Sequence, residues 1–132
     1  MNQRVSAVII EGDKIMLIRR VKPGVEYYVF PGGSVEEGES KESAMLREIR
    51  EELSVRATIE RPLFEIENKD KKEAYFLIRA VLGVPKLGGP EKERANEQNR
   101  YLLEWVELSK IKEMNNLYPQ EAVKKLSELG LV

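Results

Sequence analysis

The chain contains no cysteine and no histidine. Without cysteine it can form no disulfide, no thiolate zinc site and no cysteine nucleophile. Without histidine it has no Ser-His-Asp triad, no histidine-ligated zinc and no histidine general base. Acid–base chemistry is therefore left to Glu, Asp, Lys or Tyr. Any bound metal must be held by oxygen ligands, which favours magnesium, manganese or calcium.

The sequence also lacks an excess of either charge and any long apolar run. Its 22 basic and 23 acidic residues leave a net charge of −1, so no broad electrostatic attraction to nucleic acid is expected. No run approaches the length of a membrane span, and the N-terminus carries no apolar signal segment, which predicts a cytoplasmic protein without membrane contact. The length of 132 residues suits a single domain covering residues 1–132.

Apolar periodicity and turn residues predict an α/β protein of the α+β kind. Predicted strands cover residues 4–10, 14–18, 26–30, 55–67, 73–82 and 101–108. Predicted helices cover residues 40–53, with Ser40 as N-cap, and about 119–130, with an apolar stripe at Ala122, Val123, Leu126 and Leu129. The polar stretch from Gly88 to Asn99 is predicted to be a surface loop, and Ser109 to cap a short helical turn. This order predicts a mixed sheet with helices packed on it, either as α+β or as a three-layer sandwich.

The first predicted helix carries an acidic face beside its apolar face. At about 100° per residue, Glu48, Glu51 and Glu52 share an arc of about 100°. Like charges at this spacing destabilise a helix, so a compensating cation such as a divalent metal is one explanation. A solvated face with salt bridges is the other, because Arg47 can pair with Glu51 four residues on.

A glycine turn stands immediately before this helix, at residues 31–33. Because glycine has no Cβ, Gly32 and Gly33 can bring backbone groups close to a ligand. Glu36, Glu37 and Glu39 extend the acidic cluster into the same segment. The turn and the acids together favour a metal site built from oxygens alone.

This segment, residues 33–55, resembles the signature of the Nudix hydrolase family. The signature reads Gly, five residues, Glu, seven residues, Arg-Glu, an aliphatic, any residue, Glu-Glu, any residue, Gly, an aliphatic. Eight of the nine specified positions match, and the departure is Ser54 in place of glycine. Ser54 is expected to end the helix in a left-handed conformation, with local strain or a slightly shifted helix end. The nine positions are Gly33, Glu39, Arg47, Glu48, Ile49, Glu51, Glu52, Ser54 and Val55.

The resemblance implies an α/β/α sandwich and a role for each matched residue. Glu51 and Glu52 are implied as the main ligands of Mg²⁺, with Mn²⁺ able to substitute, and the Gly32 carbonyl as a backbone ligand. Glu48 is implied as a further ligand or as the base that activates water. Arg47 would orient the acids, while Glu39 and Gly33 would shape the substrate loop.

Other positions are candidates without a matched motif. Some family members use a glutamate on a later loop as the base, which leaves Glu91, Glu93 and Glu97 open, in a loop from residue 85 to 99 that could act as a lid. Arg19 or Arg20 could bind substrate phosphate, and strand alternation lets at most one of them face the site. The aromatic candidates for base stacking are Tyr27, Tyr28, Phe30, Tyr75, Phe76, Tyr101 and Trp105.

The resemblance implies an enzyme that hydrolyses a nucleoside diphosphate linked to another group, with a small nucleotide as its substrate. Within that class we expect a nucleoside triphosphate, normal or oxidised, to be cleaved to the monophosphate and pyrophosphate. ADP-ribose or a nucleotide sugar is the alternative substrate. A Nudix-fold sensor that binds a nucleotide without cleaving it is the alternative of a different class, and Ser54 is the feature that favours it. A homodimer is compatible with the sequence, which has no marked interface strip.

Overall fold

The computed structural model describes residues 2–132, apart from the side chains of residues 80, 90, 91 and 93. The strands are β1 (Asn2–Glu11), β2 (Lys14–Lys22), β3 (Val25–Val29), β4 (Gly32–Ser34), β5 (Arg56–Asn68), β6 (Lys71–Leu82), β7 (Arg100–Glu107) and β8 (Leu117–Tyr118). The helices are α1 (Lys41–Leu53), α2 (Gly89–Arg94) and α3 (Gln120–Glu128), with a 3₁₀ helix at Leu108–Glu113.

The strands form a mixed sheet made of two halves. The first half-sheet has the order β5-β6-β1-β4, with β1 and β6 parallel. The second half-sheet has β2 between β7 and β3, with β8 beyond β3. The halves join at the hairpin of β1 and β2, where Ile10 pairs with Ile15. Away from that hairpin, β1 pairs with β4, while β2 pairs with β3 and β7. The two half-sheets therefore diverge from each other beyond the hairpin.

Alternating side chains of β1 serve two hydrophobic cores on opposite faces of the sheet. Val5, Ala7 and Ile9 belong to the core that α1 covers. Val8 and Ile10 belong to the core that α3 and the 3₁₀ helix cover. Because helices cover both faces, the arrangement is an α/β/α sandwich with a mixed sheet, which confirms the predicted fold class.

Several local predictions need correction. The predicted loop from Gly88 to Asn99 contains the six-residue helix α2, whose first turn holds Pro90, a position where proline is favoured. The glycine turn at residues 31–33 continues into a short strand, β4, that pairs with β1. The 3₁₀ helix has Glu107 rather than Ser109 at its N-cap, without a side-chain cap bond. Leu129 lies beyond the end of α3 and is half exposed, whereas Ala122, Val123 and Leu126 are buried as predicted.

Across the described residues, none of the helices combines the length and the apolar character needed to span a bilayer.

Candidate active site

Helix α1 begins where the sequence predicts. The Ser40 hydroxyl accepts a hydrogen bond from the Ser43 amide at 3.1 Å, which satisfies one of the free donors of the first turn. Met45, Ile49 and Leu53 are buried on the face toward the sheet. This packing fixes the rotation of the helix, and therefore fixes the direction in which the acidic face points.

The end of α1 is held by the segment that follows β6. Ser54 adopts the predicted left-handed conformation, with φ of 60°, and its amide donates to the Arg50 carbonyl at 3.1 Å. The amides of Lys86 and Gly88 donate to the carbonyls of Leu53 and Glu52, each at 2.8 Å. Serine is therefore accommodated here without a shift of the helix end, because the loop supplies donors for the last carbonyls.

Glu52 is a buried carboxylate whose position is tied to strand β4. It is 4% exposed, and its Oε1 accepts a hydrogen bond from the Gly32 amide at 3.0 Å. Gly32 itself pairs with Ser6 in the sheet, and a Cβ on it would overlap the Val5 carbonyl oxygen. The absence of a side chain at this position allows β4 to approach β1 closely, while the Gly32 amide donates to Glu52.

The carboxylate of Glu48 lies close to Gly33. A Cβ built on Gly33 would overlap the carboxylate of Glu48. Because Gly33 is not in a left-handed conformation, its requirement for glycine comes from this close approach and not from backbone strain. Gly33 therefore makes room for Glu48, whereas Gly32 makes room for the backbone of β1.

Arg47 connects the acids to one another and to β4. Its Nε and Nη2 bind the two carboxylate oxygens of Glu39 at 2.7 and 2.9 Å, and Nη2 also donates to the Ser34 carbonyl at 2.9 Å. Its Nη1 lies 2.9 Å from Glu48 and 3.2 Å from Glu51. The hydrogen bonds that Arg47 donates to Glu39, and then those to Glu48, raise the pKa of Arg47, so this guanidinium remains charged.

Glu39 fixes the guanidinium of Arg47 in position. Hydrogen bonds from Arg47, together with one from the Glu36 amide at 3.0 Å, lower the pKa of Glu39 to about 2. Glu39 is therefore a carboxylate at any physiological pH, and the loop before α1 is closed onto the helix by charge-assisted hydrogen bonds.

The donor set suits a hard divalent cation, although the side chains do not form a ready-made metal site. Within the described part of the chain, no three acidic side chains are arranged together as metal ligands. Glu48 and Glu51 bond to Arg47, and Glu52 bonds to the Gly32 amide. All the candidate donors are nevertheless oxygens on one helix face and its adjoining turn, which is the chemistry that Mg²⁺ and Mn²⁺ require.

A cavity of about 610 Å³ adjoins these acids and is lined by both half-sheets. Gly32 and Glu52 line it, so the cavity reaches the acidic face of α1 at Glu52. The first half-sheet contributes Arg4, Ser6, Glu73 and Tyr75, and the second contributes Ile18, Arg20, Tyr27, Val29 and Tyr101.

Arg20 is the predicted phosphate candidate that lines the cavity. It pairs in register with Tyr27 on β3 and Tyr101 on β7, and its guanidinium carbon lies 3.7 Å from the centre of the Tyr101 ring. Its Nη2 donates to the Asn99 side chain at 2.7 Å, whereas its buried Nε has no hydrogen-bond partner among the described residues. Arg19 is not among the described residues that line the cavity, and it binds Glu26 at 2.8 Å.

The remaining candidates divide between the cavity and other places. Of the aromatic candidates, Tyr27, Phe30, Tyr75 and Tyr101 line the cavity, whereas Tyr28, Phe76 and Trp105 are not among its described lining residues. Of the loop acids, Glu97 is exposed and borders a separate, smaller cavity of about 440 Å³. The side chains of Glu91 and Glu93 lie outside the described part of the structure.

Glu73 is one of several cavity residues that the sequence did not reveal. The other polar ones are Arg4, Ser6, Asn68, Lys69, Arg94 and Tyr118. A signal for Glu73 is present in the alternation of β6, where residues 73, 75 and 77 share one face. On that face, a glutamate precedes a buried tyrosine and a buried leucine in a strand with neighbours on both sides. A charged residue in that pattern indicates a function or a buried polar network.

Comparisons with known proteins identify the family of the chain. The family model of the NUDIX domain matches residues 1–126. A MutT NUDIX hydrolase from Burkholderia pseudomallei has 26% identity and a TM-score of 0.68, with 82% of this chain and 84% of that one covered. A MutT protein from Methanosarcina mazei has 23% identity and a TM-score of 0.72 over 98% and 92% of the two chains. A protein described as an ADP compounds hydrolase has 21% identity and a TM-score of 0.74 over 99% and 76%. The chain therefore belongs to the NUDIX family, and it is a Nudix hydrolase of nucleoside diphosphate-linked compounds.

Proposed function

We propose that this Nudix hydrolase cleaves a nucleoside triphosphate to the nucleoside monophosphate and pyrophosphate, with Mg²⁺ or Mn²⁺ as cofactor. The observation that carries the proposal is the continuity between Glu52 and a single cavity of about 610 Å³. Such a volume falls in the range of small-molecule sites and suits one nucleoside. The second cavity, near Glu97, does not include Gly32 or Glu52 among its lining residues.

The acids of α1 would hold the metal. Glu51, Glu52 and the Gly32 carbonyl are the donors available, and Arg47 keeps Glu51 and the neighbouring Glu48 in place through its hydrogen bonds. When bound, a divalent cation would neutralise the diphosphate oxygens and make a bound water more acidic. The chain supplies the orientation of the carboxylates, because Arg47 is fixed in turn by Glu39.

Arg20 would bind a phosphate oxygen of the substrate. Its Nε hydrogen has no acceptor among the described residues, and a buried donor without a partner is unfavourable. A phosphate oxygen in the cavity that Arg20 lines would accept a charge-assisted hydrogen bond from this guanidinium. The stacking of Arg20 on Tyr101, and its hydrogen bond to Asn99, hold the guanidinium ready for this contact.

The general base is assigned here to Glu48. It is half-buried beside Gly33 at the metal-binding face of α1. Glu97 is a weaker candidate because it is exposed and borders the other cavity. A role for Glu91 or Glu93 stays a prediction from the sequence.

ADP-ribose, or another nucleotide linked to a sugar, is the second candidate substrate. It is favoured by the similarity in fold to the ADP compounds hydrolase over 99% of this chain. A Nudix-fold sensor that binds a nucleotide without cleaving it is favoured only by Ser54. That argument is weakened, because Ser54 is accommodated without displacing the end of α1, whose last carbonyls accept from the amides of Lys86 and Gly88.

The test is a hydrolysis screen with and without Mg²⁺ over nucleoside triphosphates, oxidised triphosphates, ADP-ribose and a nucleotide sugar. We expect metal-dependent pyrophosphate release from triphosphates by the wild type, and a loss of about 100-fold or more in Glu52→Gln. Glu42→Gln, an exposed residue on the first turn of the same helix, is the matched control and should keep wild-type turnover. AMP release from ADP-ribose alone would replace the first candidate with the second, and binding without turnover would restore the sensor.

A further inference from the structure

A second carboxylate, outside the Nudix signature, faces the same cavity. Glu73 on β6 is 6% exposed and lines the cavity from the first half-sheet. Its Oε1 accepts a hydrogen bond from the Tyr75 hydroxyl at 2.9 Å, and its Oε2 accepts one from the Asn68 amide at 3.2 Å. Arg4 approaches to 4.0 Å, at the outer limit of an ion pair.

This environment leaves Glu73 with capacity to bind a ligand. A carboxylate can accept about four hydrogen bonds, and the described neighbours supply two donors within hydrogen-bond distance. Burying a carboxylate without full pairing is unfavourable, and an apolar residue would pack on Tyr75 and Leu77 without that penalty. A structural role alone, as acceptor for the Tyr75 hydroxyl, would be served equally well by a neutral side chain.

The neighbours hold the carboxylate in one orientation. Burial, and then the charge of Glu73, raise the pKa of Tyr75, so its hydroxyl stays a hydrogen-bond donor. Tyr75 is in turn fixed between Phe64 and Phe30, with ring centres 4.7 and 5.5 Å away. Each carboxylate oxygen thus accepts one hydrogen bond from the protein, and Glu73 lines the cavity with acceptor capacity to spare.

The position of Glu73 suits the base of a nucleotide. Gly32, Ser6 and Tyr75 form one row across β4, β1 and β6. With strands about 4.8 Å apart and about 3.3 Å per residue, Glu73 lies roughly 12 Å from Gly32 along this surface. That separation is comparable to the distance from a phosphate to the far edge of its own nucleobase.

We propose that Glu73 is the specificity-determining residue for the base, and that it selects guanine-type nucleotides through their adjacent N–H donors. The two carboxylate oxygens would accept from the ring N1–H and the exocyclic amino group, as a carboxylate does with any pair of parallel donors. This inference rests on the proposed function, in which the phosphates lie near Glu52.

The other bases do not match an acceptor-only group. Adenine and cytosine place a ring nitrogen acceptor beside their amino group, so one carboxylate oxygen would face a lone pair. Uracil places its single N–H between two carbonyl oxygens. If one carboxylate oxygen accepted from that N–H, the other would face a carbonyl lone pair and be repelled. A site built to hydrogen-bond particular donors rejects analogues that lack them, because its own polar groups are then left unpaired.

The experiment compares kcat/KM for GTP, ITP, ATP and CTP in the wild type. Inosine keeps the ring N–H and lacks the exocyclic amino group, so ITP isolates one of the two donors without any mutation. We expect GTP to be preferred over ATP by about tenfold or more, with ITP in between. Equal values for the four triphosphates would overturn the inference and leave the proposed function intact.

Glu73→Gln supplies the second test, because it replaces one acceptor oxygen with an amide donor at nearly constant shape. GTP hydrolysis should fall by about tenfold or more while ATP hydrolysis is retained or rises, so the preference collapses. The matched control is Glu67→Gln, an exposed glutamate on β5, which should keep the wild-type preference. An unchanged GTP preference in a folded Glu73→Gln protein, checked by its thermal unfolding midpoint, would overturn the inference.

A binding measurement separates this inference from the proposed function. Calorimetric titration of the wild type and Glu73→Gln with GMP and AMP needs no turnover. If no triphosphate is hydrolysed but GMP binds more tightly than AMP in the wild type alone, the proposed function fails and the role of Glu73 stands. If triphosphates are hydrolysed and GMP binds both proteins equally, the role of Glu73 fails.

Discussion

The guanidinium of Arg47 holds both carboxylate oxygens of Glu39, at 2.7 and 2.9 Å, in a bidentate ion pair. The same side chain reaches Glu48, Glu51 and the Ser34 carbonyl. One planar group therefore sets the relative positions of the loop, the short strand β4 and two acids of α1. Lysine has a single charged nitrogen and cannot reproduce these contacts together.

Arg47→Lys should accordingly keep the fold and lose most of the activity. We expect kcat to fall by about tenfold or more, because Glu48 and Glu51 lose their common donor, and the free energy of unfolding to fall by about 1–3 kcal/mol. Steady-state kinetics and urea denaturation provide the two readouts. Arg50→Lys, exposed on the same helix, should change neither, and wild-type kcat in Arg47→Lys would argue against the bridging role.

The acid stability of the protein should depend on Glu39. Its pKa in the folded protein is about 2, against an ordinary value of 4.5, so its contribution to stability is fully present above pH 4.5 and is lost as pH falls toward 2. Glu39→Gln removes this contribution, so the variant should be less stable at neutral pH and should lose less stability than the wild type between pH 4.5 and 2. Urea midpoints measured across this range test the difference. Glu37→Gln, exposed in the same loop, should follow the wild-type curve.

Gly33→Ala should displace Glu48. Because a Cβ at this position would overlap the carboxylate, Glu48 must move away from β4 or the strand must shift. We expect a loss of kcat of about 100-fold, since small displacements of catalytic groups have effects of this size. Ser34→Ala, at the exposed neighbouring position, keeps the carbonyl that Arg47 uses and should retain activity. Full activity in Gly33→Ala would mean that Glu48 is not needed in its present place.

Ser54→Gly should stabilise the protein without changing turnover. A left-handed conformation is unfavourable for serine by about 1 kcal/mol relative to glycine, and part of that gain is offset by the greater freedom of glycine in the unfolded chain. We therefore expect an increase of up to about 1 kcal/mol in the free energy of unfolding, measured in urea. A decrease would indicate that the Ser54 hydroxyl contributes a contact to the loop at Gly88, where a Cβ added to the glycine would lie 3.1 Å from the hydroxyl oxygen.

Metal binding should be detectable without turnover. Because a ligand that binds the folded state stabilises it by mass action, Mg²⁺ at about 100 times its Kd should add about 2.7 kcal/mol to the free energy of unfolding. The thermal midpoint of the wild type should therefore rise with Mg²⁺ concentration, and that of Glu52→Gln should rise much less. Equal shifts in both proteins would place the metal elsewhere.

The acidic helix could be predicted from the sequence because its caps and its pattern of apolar and acidic residues all lie within one short segment. Helical spacing places Glu48, Glu51 and Glu52 on one face, and Ser40 and Ser54 mark the two ends of the helix. Helix α2 could not be predicted, because six residues are too few for a periodic signal and the preceding segment is held by bonds to α1.

The cavity depends on contacts between distant parts of the chain. Arg20 meets Asn99 across 79 positions of sequence, through the pairing of β2 with β7. Glu73 reaches the site because β6 lies parallel to β1, and β1 in turn pairs with the short strand β4. Strand register decides which side chains line the same face of the cavity. That register depends on contacts between residues distant in sequence, which local sequence patterns do not reveal.

Glu52 carries two attachments that run in different directions. Its side chain accepts from Gly32 on β4, while its main-chain carbonyl accepts from Gly88 beyond β6. A single residue thus links the turn before α1 to the segment that follows β6. Substitutions at residues 86–88 would therefore shift Glu52 through the backbone and alter the candidate active site, although these residues are not among the described residues that line the cavity.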